Sequence, residues 1–186
     1  MRKKYNGRTK IETNLSEGQE IYGSLNLSRS RMRVLPKNLT VHGSVRIEHS
    51  RLTELPDNLT VDNYLNLIFT KIKNIPENLT VGGCLTLSKS WIQVIPESLK
   101  ILGDLDLSDS RIMSIPENFY IGGNLNLDGC SLQVIPDGLH VSGSLYMSES
   151  NVKQVPASLI VGRNLYVNRG TKVSRKCKVG GQIYFI

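Results

Sequence analysis

All seven prolines of this chain, at 36, 56, 76, 96, 116, 136 and 156, stand 20 residues apart, and each follows Leu, Ile or Val. A unit of 20 residues is too short to bury its own apolar side chains. A chain made of such units gains burial only by stacking each one on its neighbours. The spacing therefore predicts a solenoid rather than a set of independent elements.

The apolar positions between prolines recur in register. Leu39, Leu59, Leu79, Leu99, Phe119, Leu139 and Leu159 form one column, and Val41, Val61, Val81, Ile101, Ile121, Val141 and Val161 a second. Two more columns run from Leu25 to Leu165 and from Leu27 to Val167. Within a unit, Leu105-Asp106-Leu107 alternates with the period of a strand that buries one face. Such a short strand must pair in parallel with its equivalent one coil away. The expected fold class is a β-rich solenoid: a parallel sheet of eight or nine short strands, one per coil, with short non-strand return segments, forming a rod about 40 Å long. Gly at 23, 43, 83, 103, 123 and 143, with Asn63 in the same column, suggests a positive-φ turn before each strand, which makes Arg163 a strained exception. Segments such as Pro76-Glu77-Asn78-Leu79 suit a single helical or 3₁₀ turn. The chain divides into an N-terminal cap over residues 1–20, with Ile11 and Leu15 as cover, repeats over 21–175, and a closing strand over 176–186.

Here the sequence meets a known pattern. Leu105-x-Leu107-x-x-Ser110-x-Ile112-x-x-Ile115-Pro116 resembles the leucine-rich-repeat consensus L-x-L-x-x-N/C-x-L-x-x-L-P. The 20-residue period is similar to the short bacterial class found in type III secreted effectors of the YopM and IpaH families. The resemblance covers about residues 21–170 and implies a binding scaffold. In the family an asparagine ladder bonds the turn backbone; here that column is Ser30, Ser50, Thr70, Ser90, Ser110, Cys130, Ser150 and Gly170, whose hydroxyls can do part of the same work. The catalytic cysteine domain of the IpaH enzymes lies outside their repeats, so no enzymatic activity is carried over.

Composition narrows the function classes. Three scattered cysteines, Cys84, Cys130 and Cys177, match neither a disulfide framework nor metal-ligand spacing, which suggests a reduced compartment. No signal peptide or transmembrane span is evident, so the expected location is the cytoplasm, or a host cell reached without a cleavable signal. His42, His49 and His140 have no nucleophile in triad arrangement and are expected to decorate the surface. Cys130 should be a packed thiol, whereas Cys84 at an outward strand position could react. Asp104, Asp106, Asp109 and Asp128 fall on two successive strands and their loops, where they could hold a divalent cation or act as paired carboxylates, or simply be a solvated acidic surface. An open sheet face offers no pocket for catalysis. No cofactor or catalytic residue is expected. Asn14, Asn26, Asn38, Asn58 and Asn78 begin Asn-Leu-Ser/Thr triplets, best explained as by-products of the repeat.

Function is therefore sought where coils depart from the template. The net charge is +7, and Arg29, Arg31, Arg33, Arg51, Lys71, Lys73, Lys89 and Arg111 all follow a strand, so they line up as a basic stripe. Ile68-Phe69 replaces the polar pairs of other coils, with Tyr64 on the same strand and Trp91 one coil on. Aromatics flanked by cations have the composition of a binding hot spot, unless Phe69 and Trp91 fold over the core edge. Tyr146, Tyr166 and Tyr184 share another column and form either a contact surface or a stabilising ladder. The sequence thus predicts a non-enzymatic module that binds a protein partner through the strand face and basic rim. Its contact residues are Phe69, Trp91, Ile68, Tyr64, Arg31, Arg51, Lys71, Arg111, Asp106, Tyr146 and Tyr166. Nucleic acid or a phosphate surface on the stripe is the alternative partner.

Overall fold

A computed structural model describes residues 15–186; most of the proposed N-terminal cap, including Ile11, lies outside them. The chain is a parallel β-solenoid whose coils repeat every 20 residues. One side is a nine-stranded sheet that runs in chain order from Leu25–Asn26 to Ile183–Phe185. Its register follows the period, with Leu65 opposite Leu85, Leu85 opposite Leu105 and Leu125 opposite Leu145. At about 4.8 Å per strand the sheet is roughly 38 Å long.

The return path is more ordered than expected. The residues after each post-proline turn form a second parallel ladder. Glu20–Tyr22, Thr40–His42, Thr60–Val61 and Thr80–Val81 pair in one sheet, and Tyr120–Ile121, His140–Val141, Ile160–Val161 and Lys178–Val179 in another. Single bridges through Ile101 connect the two. The Val41-to-Val161 column is thus the inward face of a strand flanked by outward residues, a period-2 pattern hidden by its two- or three-residue length. No 3₁₀ turn follows the prolines among the described residues. A β-turn stands there instead, with Asn38, Asn58 and Asn118 at φ of 55–58°, because asparagine accepts the left-handed region better than most residues.

Each coil thus has three sides around one core: the nine-stranded sheet, a third side over positions equivalent to 31–36, and the second ladder. Leu59, Val61, Leu65, Leu67, Ile72 and Ile75 supply one layer of that core, all buried. The glycine column works differently from expectation. Gly23 has φ of 126°, but the later glycines do not have positive φ. A Cβ on Gly43 would lie 2.5 Å from the carbonyl oxygen of Gly23, so glycine there permits close approach of successive coils. Arg163 shows no positive φ, and its amide keeps the column's bond to the Gly143 carbonyl at 3.0 Å, so the expected strain is not found.

Apart from Ser30, whose buried hydroxyl has no partner among the described residues, the hydroxyls of this column bond within their own coils: Thr70 Oγ1 and Ser150 Oγ donate to the carbonyls of Leu67 and Met147 at 2.7 and 2.8 Å. An amide ladder exists at another corner, where Asn78 donates to Asn58 and Asn58 to Asn38 at 2.6 and 2.7 Å. The last coil is shortened, and Ile183–Phe185 pairs with Leu165–Val167. Among the described residues no helix is long and apolar enough to cross a membrane.

Candidate interaction surface

The corner between the nine-stranded sheet and the third side positions most of the candidate residues. Asn26, Asn66, Asp106 and Asn126 each accept a hydrogen bond at 3.0 Å from the amide two residues ahead, which closes a tight turn. The second turn residue lies in the left-handed region in every coil from 29 to 149, including those where Arg46, Thr86 or Tyr146 replaces the bonding side chain. Arg29, His49, Phe69, Lys89, Asp109, Gly129 and Glu149 all have φ between 53° and 65°. Bonds from the Phe69, Lys89 and Asp109 amides to carbonyls of the next coil, at 2.8–3.2 Å, lock the column. Asp106, expected as a contact residue, holds this turn; its carboxylate also accepts from Ser108 Oγ at 2.7 Å.

The column aligns side chains from successive coils. Phe69 is 46% exposed, stacks on His49 at 4.5 Å and 18°, and carries Lys89 Nζ 5.1 Å from its ring centroid. A bulky side chain at positive φ is unfavourable by about 1 kcal/mol or more. Two residues on, a parallel column runs through Arg31, Arg51, Lys71, Trp91 and Arg111. Trp91 is half-buried between the Lys71 ammonium at 5.6 Å and the Arg111 guanidinium at 4.4 Å from its ring centroid. The two rings therefore differ: Phe69 stands out from the corner, and Trp91 is wedged between cations. Ile68 is half-buried beside them. Arg31, Arg33 and Arg51 are exposed.

The remaining candidates lie on the sheet. Arg46 Nε donates to the Tyr64 hydroxyl at 2.6 Å, with its guanidinium 5.4 Å from that ring's centroid. Tyr146, Tyr166 and Tyr184 stack at 4.7 and 4.8 Å, with planes within 10° of parallel. Their faces cover one another, so they offer edges and hydroxyls outward while bracing the C-terminal coils.

The four aspartates do not converge. Asp104 accepts the Asn124 amide at 2.7 Å, Asp128 the Ser148 amide at 2.6 Å, and Asp109 lies 3.9 Å from Lys89. Among the described residues no group of three or more His, Cys, Asp or Glu could hold a metal ion. Burial raises the Asp128 carboxyl above the usual aspartate range, against the opposing bond from Ser148. Burial likewise raises the thiol of Cys130, which is packed in the core, and that of half-buried Cys177. Half-buried Cys84 accepts the Asp104 amide at 3.4 Å. His42 stacks on Tyr22 at 4.6 Å and reaches Asp62 at 3.0 Å, and His140 meets Tyr120 edge-on at 5.1 Å.

Sequence reasoning missed a second set of exposed apolar groups. Val34, Val94, Met113 and Val134 on the third side are 52–72% exposed, and Leu102 and Tyr120 on the second ladder are 69% and 48% exposed. Leu102 and Tyr120 line one shallow open groove of about 690 Å³, and Met113 and Val134 line another of about 630 Å³. The available signal was an apolar residue where neighbouring coils carry Glu54, Asn74 or Ser114. Compared with models of known protein families and with curated proteins, the chain matches none.

Proposed function

We propose that the chain is a non-catalytic interaction module of leucine-rich-repeat type, binding an acidic protein partner through its strand side and basic rim. The observation that carries this reading is the pair of cation–aromatic ladders at one corner, His49–Phe69–Lys89 and Lys71–Trp91–Arg111. A large ring kept half-exposed at positive φ is maintained against a backbone preference, and such outliers concentrate at functional sites. Cations stacked on rings lose freedom before any partner arrives, which lowers the ordering cost of binding. The repeat's similarity to bacterial effectors makes a host component the natural target, with the chain acting in a cytoplasm, its own or the host's.

Nucleic acid is the rival partner. Projected on the axis of a duplex, the phosphates of one strand recur about every 3.4 Å, whereas the cations of one column recur at the coil spacing of about 4.8 Å. Affinity capture from host lysate with wild type, Phe69→Ala and Arg51→Glu tests the reading. A protein retained by wild type in a saturable, competable manner and lost from both variants supports it. Retention unchanged by either variant overturns it. Steeply salt-dependent binding to generic duplex would favour the rival.

A further inference from the structure

The third side of the solenoid is the least completed. The nine-stranded sheet is continuous, but on the third side, among the described residues, only Gln154–Val155 and Lys172–Val173 pair as strands, with one further bridge from Val94 to Ser114. That side also exposes Val34, Val94, Met113 and Val134; the valines share one column along the rod axis with Glu54, Asn74 and Ser114 between them, and Met113 shares the next column with exposed Arg33, Lys73 and Lys153. Glu54 is the only charge in the Val34–Val94–Val134 column.

Opposite charges border these columns. One corner carries Arg31, Arg51, Lys71 and Arg111. The other, directly after the prolines, carries Asp57, Glu77, Glu97, Glu117 and Asp137, all exposed. The two rows carry opposite charges in the same coil at Arg51 and Asp57, Lys71 and Glu77, and Arg111 and Glu117, while Trp91 and Ser131 stand level with Glu97 and Asp137.

We infer that this side binds a second copy of the chain, face to face, about a two-fold axis parallel to the rod. That rotation exchanges the two corners while keeping each coil level with its equivalent. Arg51 then meets the copy's Asp57, Lys71 its Glu77 and Arg111 its Glu117, on both flanks of the interface. Val94 and Val134 meet their own equivalents along the centre. Arg31 faces Lys37, a like charge already paired with Asp57 at 2.9 Å within its own chain.

A phosphate backbone on this side would gain one corner and be repelled by the other. An acidic protein of different architecture would lack the coil spacing. A second copy pairs Arg51, Lys71 and Arg111 with opposite charges on both flanks at once, and the symmetry closes the assembly at two chains. Seven coil steps of about 4.8 Å, and six residue steps of about 3.3 Å from position 31 to position 37, give a side of about 670 Å². Each partner in a standard stable interface buries about 800 Å².

The dimer goes beyond the function proposed above. It takes Lys71 and Arg111 from the rim but leaves the strand side, with Tyr64, Tyr146 and Tyr166, outward on both copies. The two readings are separable because the acidic corner belongs only to the dimer.

Sedimentation velocity over rising concentration tests the inference with three full-length proteins. Wild type should reach twice the chain mass. Glu77→Lys/Glu117→Lys and Lys71→Glu/Arg111→Glu should each self-associate about tenfold or more weakly, because each places like charges on both flanks. Their equimolar mixture should recover a dimer, since one variant is basic at both corners and the other acidic. A monomer at every concentration, wild-type association by either variant, or no recovery on mixing would overturn the proposal. Circular dichroism confirms that each variant is folded. Val134→Cys reports the axis: mild oxidation should link it to its own equivalent, and failure to crosslink an associating protein rejects the parallel arrangement. Capture of a partner by Glu77→Lys/Glu117→Lys is expected to persist, so loss of the dimer and loss of the rim's function are distinguishable.

Discussion

Replacing Phe69 by glycine and by alanine should reverse the usual order of those two residues. At an ordinary strand position glycine is the less stable by about 0.5–1 kcal/mol, through its larger loss of backbone freedom. At φ of 56°, alanine keeps the Cβ that makes the left-handed region unfavourable, and glycine removes it. Both variants lose the ring. Its half-burial contributes about 1 kcal/mol, the stack on His49 roughly another 1, and the Lys89 contact about 0.5. Phe69→Ala should therefore cost about 2.5 kcal/mol, and Phe69→Gly about 1.5. For a chain of this length a 1 kcal/mol gap separates their melting temperatures by about 2–4 °C. Thermal melts followed by circular dichroism provide the assay, with Thr86→Ala and Thr86→Gly in the strand Leu85–Thr86 as the control pair. Thr86→Gly should melt below Thr86→Ala. If Phe69→Ala melts at or above Phe69→Gly, residue 69 does not occupy the left-handed corner, and the case for a maintained outlier fails.

The other expectations concern the scaffold. Gly103→Ala would place its Cβ 2.7 Å from the Gly83 carbonyl carbon and 2.9 Å from the Cys84 amide nitrogen, so a loss of about 2–3 kcal/mol is expected in denaturant titration. Asn58→Ala removes both bonds of the amide ladder and leaves a Cβ at φ of 57°, which should cost about 1–2 kcal/mol despite its exposure. Burial raises the folded-state pKa of Asp128, so its ionisation destabilises the fold above that pKa. The penalty disappears as pH falls through it toward the ordinary aspartate range. Asp128→Asn, which keeps an acceptor for the Ser148 amide, should therefore raise the melting temperature at neutral pH, with the gain shrinking on acidification; an equal gain at all pH values would contradict this. Cys130 should stay unmodified by maleimide in the native protein and react on unfolding, as mass spectrometry can verify.

The solenoid, its period and its nine-stranded sheet were legible because the apolar columns and prolines state them in every unit. The second ladder was not, since Thr60–Val61 and its equivalents are too short to display alternation. The left-handed corner was placed at the glycine column rather than at position 69 and its equivalents, because residue type fails as a guide when Phe, Lys and Asp occupy a conformation that the turn geometry repeats in every coil, including those where Thr86 or Arg46 replaces the bonding asparagine or aspartate. Phe69 and Trp91 were identifiable as departures from the template. Their different burial depended on which neighbours covered each ring, and that follows from coil geometry. The apolar third side was overlooked because Val and Met between polar residues look like ordinary core in a repeat this rich in aliphatic side chains.

The shortened last coil shows where such a chain can change length. Val167 pairs 20 residues from Met147, whereas Lys172 pairs 18 residues from Gln154, so two residues are missing between Val167 and Lys172. That stretch is the corner bearing Arg29, His49 and Phe69 in earlier coils. Pairing continues on both flanks of the deletion, which makes the corner a hinge-free splice point: segments can be cut or grafted there while the coils above and below stay aligned. A loop inserted beside Phe69 would emerge at the rim itself, so new recognition elements could be added at the place of contact without redesigning the rod.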